Sequence, residues 1–210
     1  MTPLPRDFYR RDPREVAPAL LHKVLVRGPC RGLIVETEAY CGALDPASHA
    51  YRGRTARNAT MFGPPGRLYV YFSYGMHWCA NAVCGEEGEA LAVLIRALRP
   101  LAGLDEMWAR RPAARTERDL CRGPARLCQA LAITGPNDGD DLCTAYGDDP
   151  RWLVTGAGGT GIVDDGTPPP DEVVTSTRVG ISVGVDRPWR WYVGGDNCVS
   201  RHRTGSSTTN

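Results

Sequence analysis

The segment RGLIVETEAY, residues 31–40, constrains the fold of this chain more than any other, because it sets two glutamates and a tyrosine into an otherwise apolar, β-branched run. Side chains alternate along an extended chain, so Glu36, Glu38 and Tyr40 share one face and Val35, Thr37 and Ala39 the other. Carboxylates are seldom buried without partners. Such a strand therefore either solvates its polar face or closes it over a cleft suited to proton chemistry.

The length suits one well-buried domain, read as residues 1–200 with 201–210 as a flexible tail. Residues 12–22 read as a short helix with Pro13 at its start, although Pro18 falls in its middle. Residues 24–26 begin the sheet. The stretch from Cys41 to Gly66 is too polar and too rich in glycine and proline for regular structure, and a long loop after a carboxylate-bearing strand is a common place for a site. Residues 68–74 alternate aromatic and apolar side chains, turn at Gly75 and return through HWCANAV, which predicts a hairpin. LAVLIRAL (91–98) predicts a further strand, and 100–111 and 119–133 predict helices, the second with Pro124 in its first turn. From Pro136 to Asp171 only RWLVT (151–155) suggests a strand, and the acidity of this stretch places it away from any phosphate backbone. TRVGIS (177–182) and RWYVGG (190–195) read as closing strands, and the chain after Cys198 as fraying.

The formal charge is +1, so a nucleic-acid partner would have to meet a local basic patch. Lys23 is the single lysine among 25 basic residues. Codon bias and selection for bidentate phosphate contacts both account for that excess of arginine. The polar N-terminus MTPLPRDFYRRD and the lack of a long apolar run predict a cytoplasmic protein without a membrane anchor. The eight cysteines form no CxxC pair and several lie in apolar stretches, which predicts reduced structural thiols and no metal site.

Arg96, inside an apolar strand, requires a carboxylate or bound water, and Glu38 is a candidate partner. The pair is either a structural ion pair or a means of keeping a general base ionised. Tyr69, Tyr71 and Tyr74 are core residues by spacing alone, or else an aromatic hairpin whose tip, Tyr74 with Gly75 and Met76, inserts between base pairs. Arg52, Arg54 and Arg57 are either solvated arginines or a phosphate clamp.

Six ordered blocks are similar to the alkyladenine (3-methyladenine) DNA glycosylases, a family of monofunctional base-excision repair enzymes. They are RGLIVETEAY, TARN (55–58), PPGRLYVYFSYGMHWCAN (64–81), IRALRP (95–100), LCRGPARLCQALAI (120–133) and TRVGIS. The resemblance spans about Leu20 to Ser200. It implies an α+β fold, a single mixed domain around a curved, largely antiparallel β-sheet with peripheral helices and a protruding hairpin that enters DNA. It further implies Glu38 as the base that activates water, Arg96 as the residue that helps hold that water, and Tyr40, His49, Tyr71 and Asn81 as the base pocket. Tyr74 takes the intercalating position with Met76 beside it, and Arg54 and Arg57 face the phosphates.

The expected partner is double-stranded DNA containing damaged purines such as 3-methyladenine, 7-methylguanine, hypoxanthine or ethenoadenine, and the expected form is a monomer with no obligate protein partner and no cofactor. His77, before Trp78, and a slightly shorter loop after the ETEAY strand depart from the vertebrate pattern and bear on substrate range. A DNA-damage binding protein without turnover is the alternative.

Overall fold

The structure, a computed structural model, describes residues 1–143 and 159–200. In chain order its elements are β1 (Thr2–Pro3), α1 (Arg6–Tyr9), α2 (Pro13–Ala19), β2 (Val24–Arg27), β3 (Cys30–Cys41), β4 (Leu68–Ser73), β5 (His77–Cys84), β6 (Leu91–Ala102), α3 (Leu104–Arg110), α4 (Pro124–Ala130), β7 (Thr160–Asp164), β8 (Val173–Ser176) and β9 (Arg190–Val193). The strands form one curled antiparallel sheet in the order β1-β7-β2-β3-β6-β5-β4, while β9 joins β3 and carries β8 on its outer side. The α+β expectation holds. Among the described residues no helix is long and apolar enough to cross a membrane.

Strand β3 organises the site. Along one edge it pairs with β6, and along the other first with β2 and then with β9. Its pairing with β6 slips once at its end, between Arg31 and Gly32, and at two adjacent points inside: Ile34 faces Leu98, Glu36 faces Ala97, and Thr37 faces Ile95. Val35 is thus an extra residue on β3 and Arg96 an extra residue on β6, two compensating bulges that leave the flanking register unchanged. Bulges re-aim side chains. Here they turn Arg96 toward both glutamates. The opposite face of the sheet packs on α2, α3 and α4 through a core that includes Val16, Ile34, Val35, Ile95, Met107, Leu127 and Leu131.

Several boundaries differ from the sequence expectations for local reasons. Helix α2 ends at Ala19 rather than at 22: it runs through Pro18, Leu20 closes it by donating to the Val16 carbonyl, and His22 takes a positive φ of 64° that no helix continues. Asp12 caps its start by accepting the Arg14 N–H at 2.8 Å. Strand β6 runs to Ala102, four residues past its predicted end, and Gly103 at φ 70° turns the chain into α3, so that helix starts at 104 rather than 100. Helix α4 begins at Pro124 and covers only 124–130 of the predicted 119–133, with a separate 3-10 turn at Glu117–Asp119. The long loop after β3 contains 3-10 turns at Gly42–Leu44 and Ala56–Phe62. Strand β7 lies in the stretch expected to be irregular and pairs with both β1 and β2. RWLVT and the tail 201–210 lie outside the described residues.

Two corrections bear on the site. TRVGIS is not a strand: pairing stops at Ser176, and the following residues form a loop with Gly180 at φ 77°. The chain after Cys198 is not frayed at once, because the Ser200 N–H donates to Glu36 Oε2 at 2.7 Å and its hydroxyl to Oε1 at 2.8 Å. All eight cysteines are free thiols, seven of them buried.

Candidate active site

The glutamate face of β3 is not solvated. Glu36 and Glu38 are both 0% exposed, which overturns that reading of the alternation. Both keep partners. Glu36 Oε1 accepts from Arg96 Nε at 2.9 Å, Arg190 Nε at 2.7 Å and the Ser200 hydroxyl, and Oε2 accepts the Ser200 N–H. Four donors thus surround the carboxylate, three on Oε1 and one on Oε2. Burial works against ionisation of Glu36, but Arg96 and Arg190 outweigh it and hold the carboxyl below its ordinary range.

Glu38 is less saturated. Its Oε2 accepts from the Tyr40 hydroxyl at 2.9 Å and faces Arg96 Nη1 at 3.1 Å, whereas Oε1 accepts only the Val179 N–H, at 2.7 Å. One acceptor position on Oε1 remains for a further donor. Burial is the largest influence on this carboxyl and raises it above the usual glutamate range, with Arg96, Val179 and Tyr40 opposing. Two carboxyls two residues apart are thus pushed in opposite directions, the separation expected where one is structural and the other reactive.

A cavity of about 950 Å³ opens against this group. Glu38 sits just behind its wall, while Tyr40, Arg96 and Val179, which hold the carboxylate, all line it. His49, Tyr69, Tyr71, Asn81 and Arg57 line it as well. Tyr69 and Tyr71 stack with ring centroids 5.5 Å apart, and the His49 ring meets Tyr71 nearly at right angles at 4.3 Å. Burial, followed by the charge of Arg57, lowers the His49 pKa from 6.5, so the imidazole is neutral at pH 7, with Nδ1 3.2 Å from the Tyr69 hydroxyl. Asn81 is fixed by a bond from its Nδ2 to the Tyr69 carbonyl at 3.1 Å.

The hairpin tip borders the mouth. Tyr74 and Gly75 both have positive φ, 49° and 65°, and the Met76 N–H closes the turn on the Ser73 carbonyl at 3.0 Å. A tyrosine in that conformation is uncommon. Tyr74 is 78% and Met76 73% exposed, unusual for apolar side chains on a tight turn. The Tyr74 hydroxyl donates to the Gly180 carbonyl across the mouth at 3.3 Å. Arg57 reaches the same hairpin, donating to the Phe72 carbonyl at 2.6 Å, whereas Arg52 and Arg54 are exposed and do not line the cavity.

The structure therefore gathers Arg96, Tyr40, His49, Tyr71, Asn81 and Tyr74 in the lining of one cavity with Glu38 held behind them, and leaves the exposed Met76 and Arg54 outside that lining. Sequence reasoning missed the supports. Asn58 of the TARN segment donates from Nδ2 to the carbonyls of His49 at 2.9 Å and Gly53 at 3.0 Å, which pins the loop carrying His49. Arg190 and Ser200 anchor Glu36, and Val179 supplies a backbone donor to Glu38. Asn58 was visible as a motif residue, but nothing in the sequence signalled its partners.

Residues 7–197 match the family described as methylpurine-DNA glycosylase. The chain is 56% identical over 198 residues to a Burkholderia lata protein named "Putative 3-methyladenine DNA glycosylase", covering 94% of this chain and 90% of that one. A Streptomyces avermitilis protein of the same name is 48% identical over 208 residues, 96% of this chain and 92% of its own. One from Rhodopseudomonas palustris is 46% identical over 198 residues, 94% and 90% of the two chains. With a match that spans the glutamate strand, the aromatic hairpin and the closing loop, the chain belongs to the methylpurine-DNA glycosylase family and is a DNA glycosylase.

Proposed function

We propose that the protein is a monofunctional purine DNA glycosylase of base-excision repair, which flips an alkylated or deaminated purine from duplex DNA and hydrolyses its N-glycosidic bond with water activated by Glu38. The observation that carries this reading is the difference between the two glutamates. Glu36 takes four donors, and two of its partners, Arg190 and Ser200, lie away from the cavity, whereas Glu38 takes three and every one of its partners, Tyr40, Arg96 and Val179, lines the cavity. A general base needs reach to one more proton. Arg96, held by both glutamates, helps position the water and stabilises the carboxylate.

In this reading, water attacks C1′ of the deoxyribose as the C1′–N bond breaks. Its proton passes to Glu38, and the bonding electron pair leaves with the base. The positive charge that develops on the sugar is met by the same carboxylate, as in glycosidases. Tyr40, His49 and Tyr71 bracket the flipped base, whose electron-poor ring stacks favourably on electron-rich aromatic faces. Neutral His49 adds no repulsion against a cationic base. Asn81 crowds the exocyclic amine of undamaged guanine.

Lys23, the sole lysine, pairs with Asp164 at 2.6 Å and does not line the cavity, which supports hydrolysis rather than Schiff-base lyase chemistry. Arg54 and Arg57 contact phosphates, Tyr74 fills the gap left by the flipped nucleotide, and Met76 lies beside it in the minor groove. The enzyme acts as a monomer on nucleoid DNA in the cytoplasm and needs no cofactor.

The test is single-turnover release of base from duplexes carrying one ethenoadenine, hypoxanthine or 7-methylguanine, in EDTA. Release is the expected result. Tight lesion binding with no abasic product from any duplex would instead support a damage-binding protein.

Tyr74→Ala should slow release from paired lesions on the order of tenfold, because the few kcal/mol of unstacking lose their compensating wedge. Mispaired lesions, already easier to unpair, should suffer less. Equal losses on both would remove Tyr74 from flipping.

A further inference from the structure

Arg178 has a fully buried side chain and is not part of the cavity wall, yet it touches the residue that is. Its Nη2 donates to Asp45 Oδ1 at 2.8 Å and its Nη1 to Asp45 Oδ2 and to the Ala39 carbonyl at 3.1 Å. These bonds fix the guanidinium plane. Its Cζ then lies 4.7 Å from the Tyr40 ring centroid and 5.1 Å from that of Trp189. Arg187 Nη1 also stands 4.0 Å from Asp45, so one carboxylate serves two guanidiniums and the cluster keeps a net positive charge behind Tyr40. The next residue, Val179, aims its N–H at Glu38.

A ring attracts a cation through the negative potential of its face, and a guanidinium already stacked on that ring uses up part of the attraction and repels a second cation beyond it. We propose that Arg178 is a specificity-determining residue: stacked on Tyr40 from outside the cavity lining, it weakens the hold of the pocket on positively charged bases and so favours neutral damaged purines. The inference rests on the glycosylase reading and refines its substrate class. Glu38 pulls a cationic base the other way, and the balance between the two sets the range of lesions released.

The experiment compares single-turnover kmax/K1/2 for 7-methylguanine, which is cationic, with that for hypoxanthine, which is neutral, in the intact enzyme and three variants. Arg178→Gln should raise the ratio of cationic to neutral release about three- to tenfold. Because that change strands a buried carboxylate, the double variant Asp45→Asn with Arg178→Gln carries the same test in a chain with no unpaired buried charge. Arg178→Lys keeps the charge and should hold the ratio within about twofold, even where looser packing lowers both rates. A purely structural Arg178 would slow both lesions equally. An unchanged or falling ratio in the folded variants overturns the proposal while leaving the glycosylase reading intact, and no release of either base by the intact enzyme overturns both.

Discussion

Glu38→Gln should bind a lesion duplex as the parent does and lose roughly 10² to 10⁴ in the chemical step, about 3 to 5 kcal/mol of barrier. The amide keeps the size of the side chain and one acceptor oxygen but cannot take a proton from water. Single-turnover release of 7-methylguanine is the best measure, because alkylation has already supplied the charge that a leaving base needs and the rate then reports the base catalyst alone. Near-parental release by this variant would remove Glu38 from the mechanism.

The pH dependence follows from the same geometry. Only ionised Glu38 accepts a proton, and burial raises its pKa above the ordinary glutamate value of 4.5. The rate for 7-methylguanine should therefore rise with pH through a limb displaced above that value, and the limb should vanish in Glu38→Gln. A limb at or below the value of a free glutamate would mean that burial does not govern the group.

Much of this site was legible in the sequence because it is local. Alternation along β3 put Glu36, Glu38 and Tyr40 on one face, and the aromatic run with its Tyr-Gly turn announced the hairpin. What alternation could not decide was whether the glutamate face met water. That depends on Arg190 and Ser200, which lie more than 150 residues away, and on paired bulges that insert Arg96 between the carboxylates. A separation of 133 residues likewise hid Asp45 from Arg178. TRVGIS has the apolar rhythm of a strand, but Gly180 and the inward commitment of Arg178 and Val179 make it a loop whose backbone serves Glu38. Strand β7 escaped notice because its short GIV core sits among acidic and glycine residues.

Glu36→Gln should have the opposite phenotype. It should destabilise the fold by about 3 to 5 kcal/mol, since removing one charge from a buried network leaves Arg190 without its counterion and Arg96 with Glu38 alone. Urea unfolding at pH 7 checks this, with Glu38→Gln, whose buried charge already costs stability, staying within about 1.5 kcal/mol of the parent. The sign with pH is fixed. Because Arg96 and Arg190 overcome burial to lower the Glu36 pKa, its contribution is complete above the unfolded value and is lost as pH falls through the lower folded one. The gap between parent and Glu36→Gln should therefore narrow in acid. In the fraction that folds, loss of the neighbouring negative charge frees Arg96 to act on Glu38 alone, so the acid limb of the rate should move to lower pH while release persists. A stable Glu36→Gln without activity would exchange the roles of the two glutamates, making Glu36 the base and Glu38 its support.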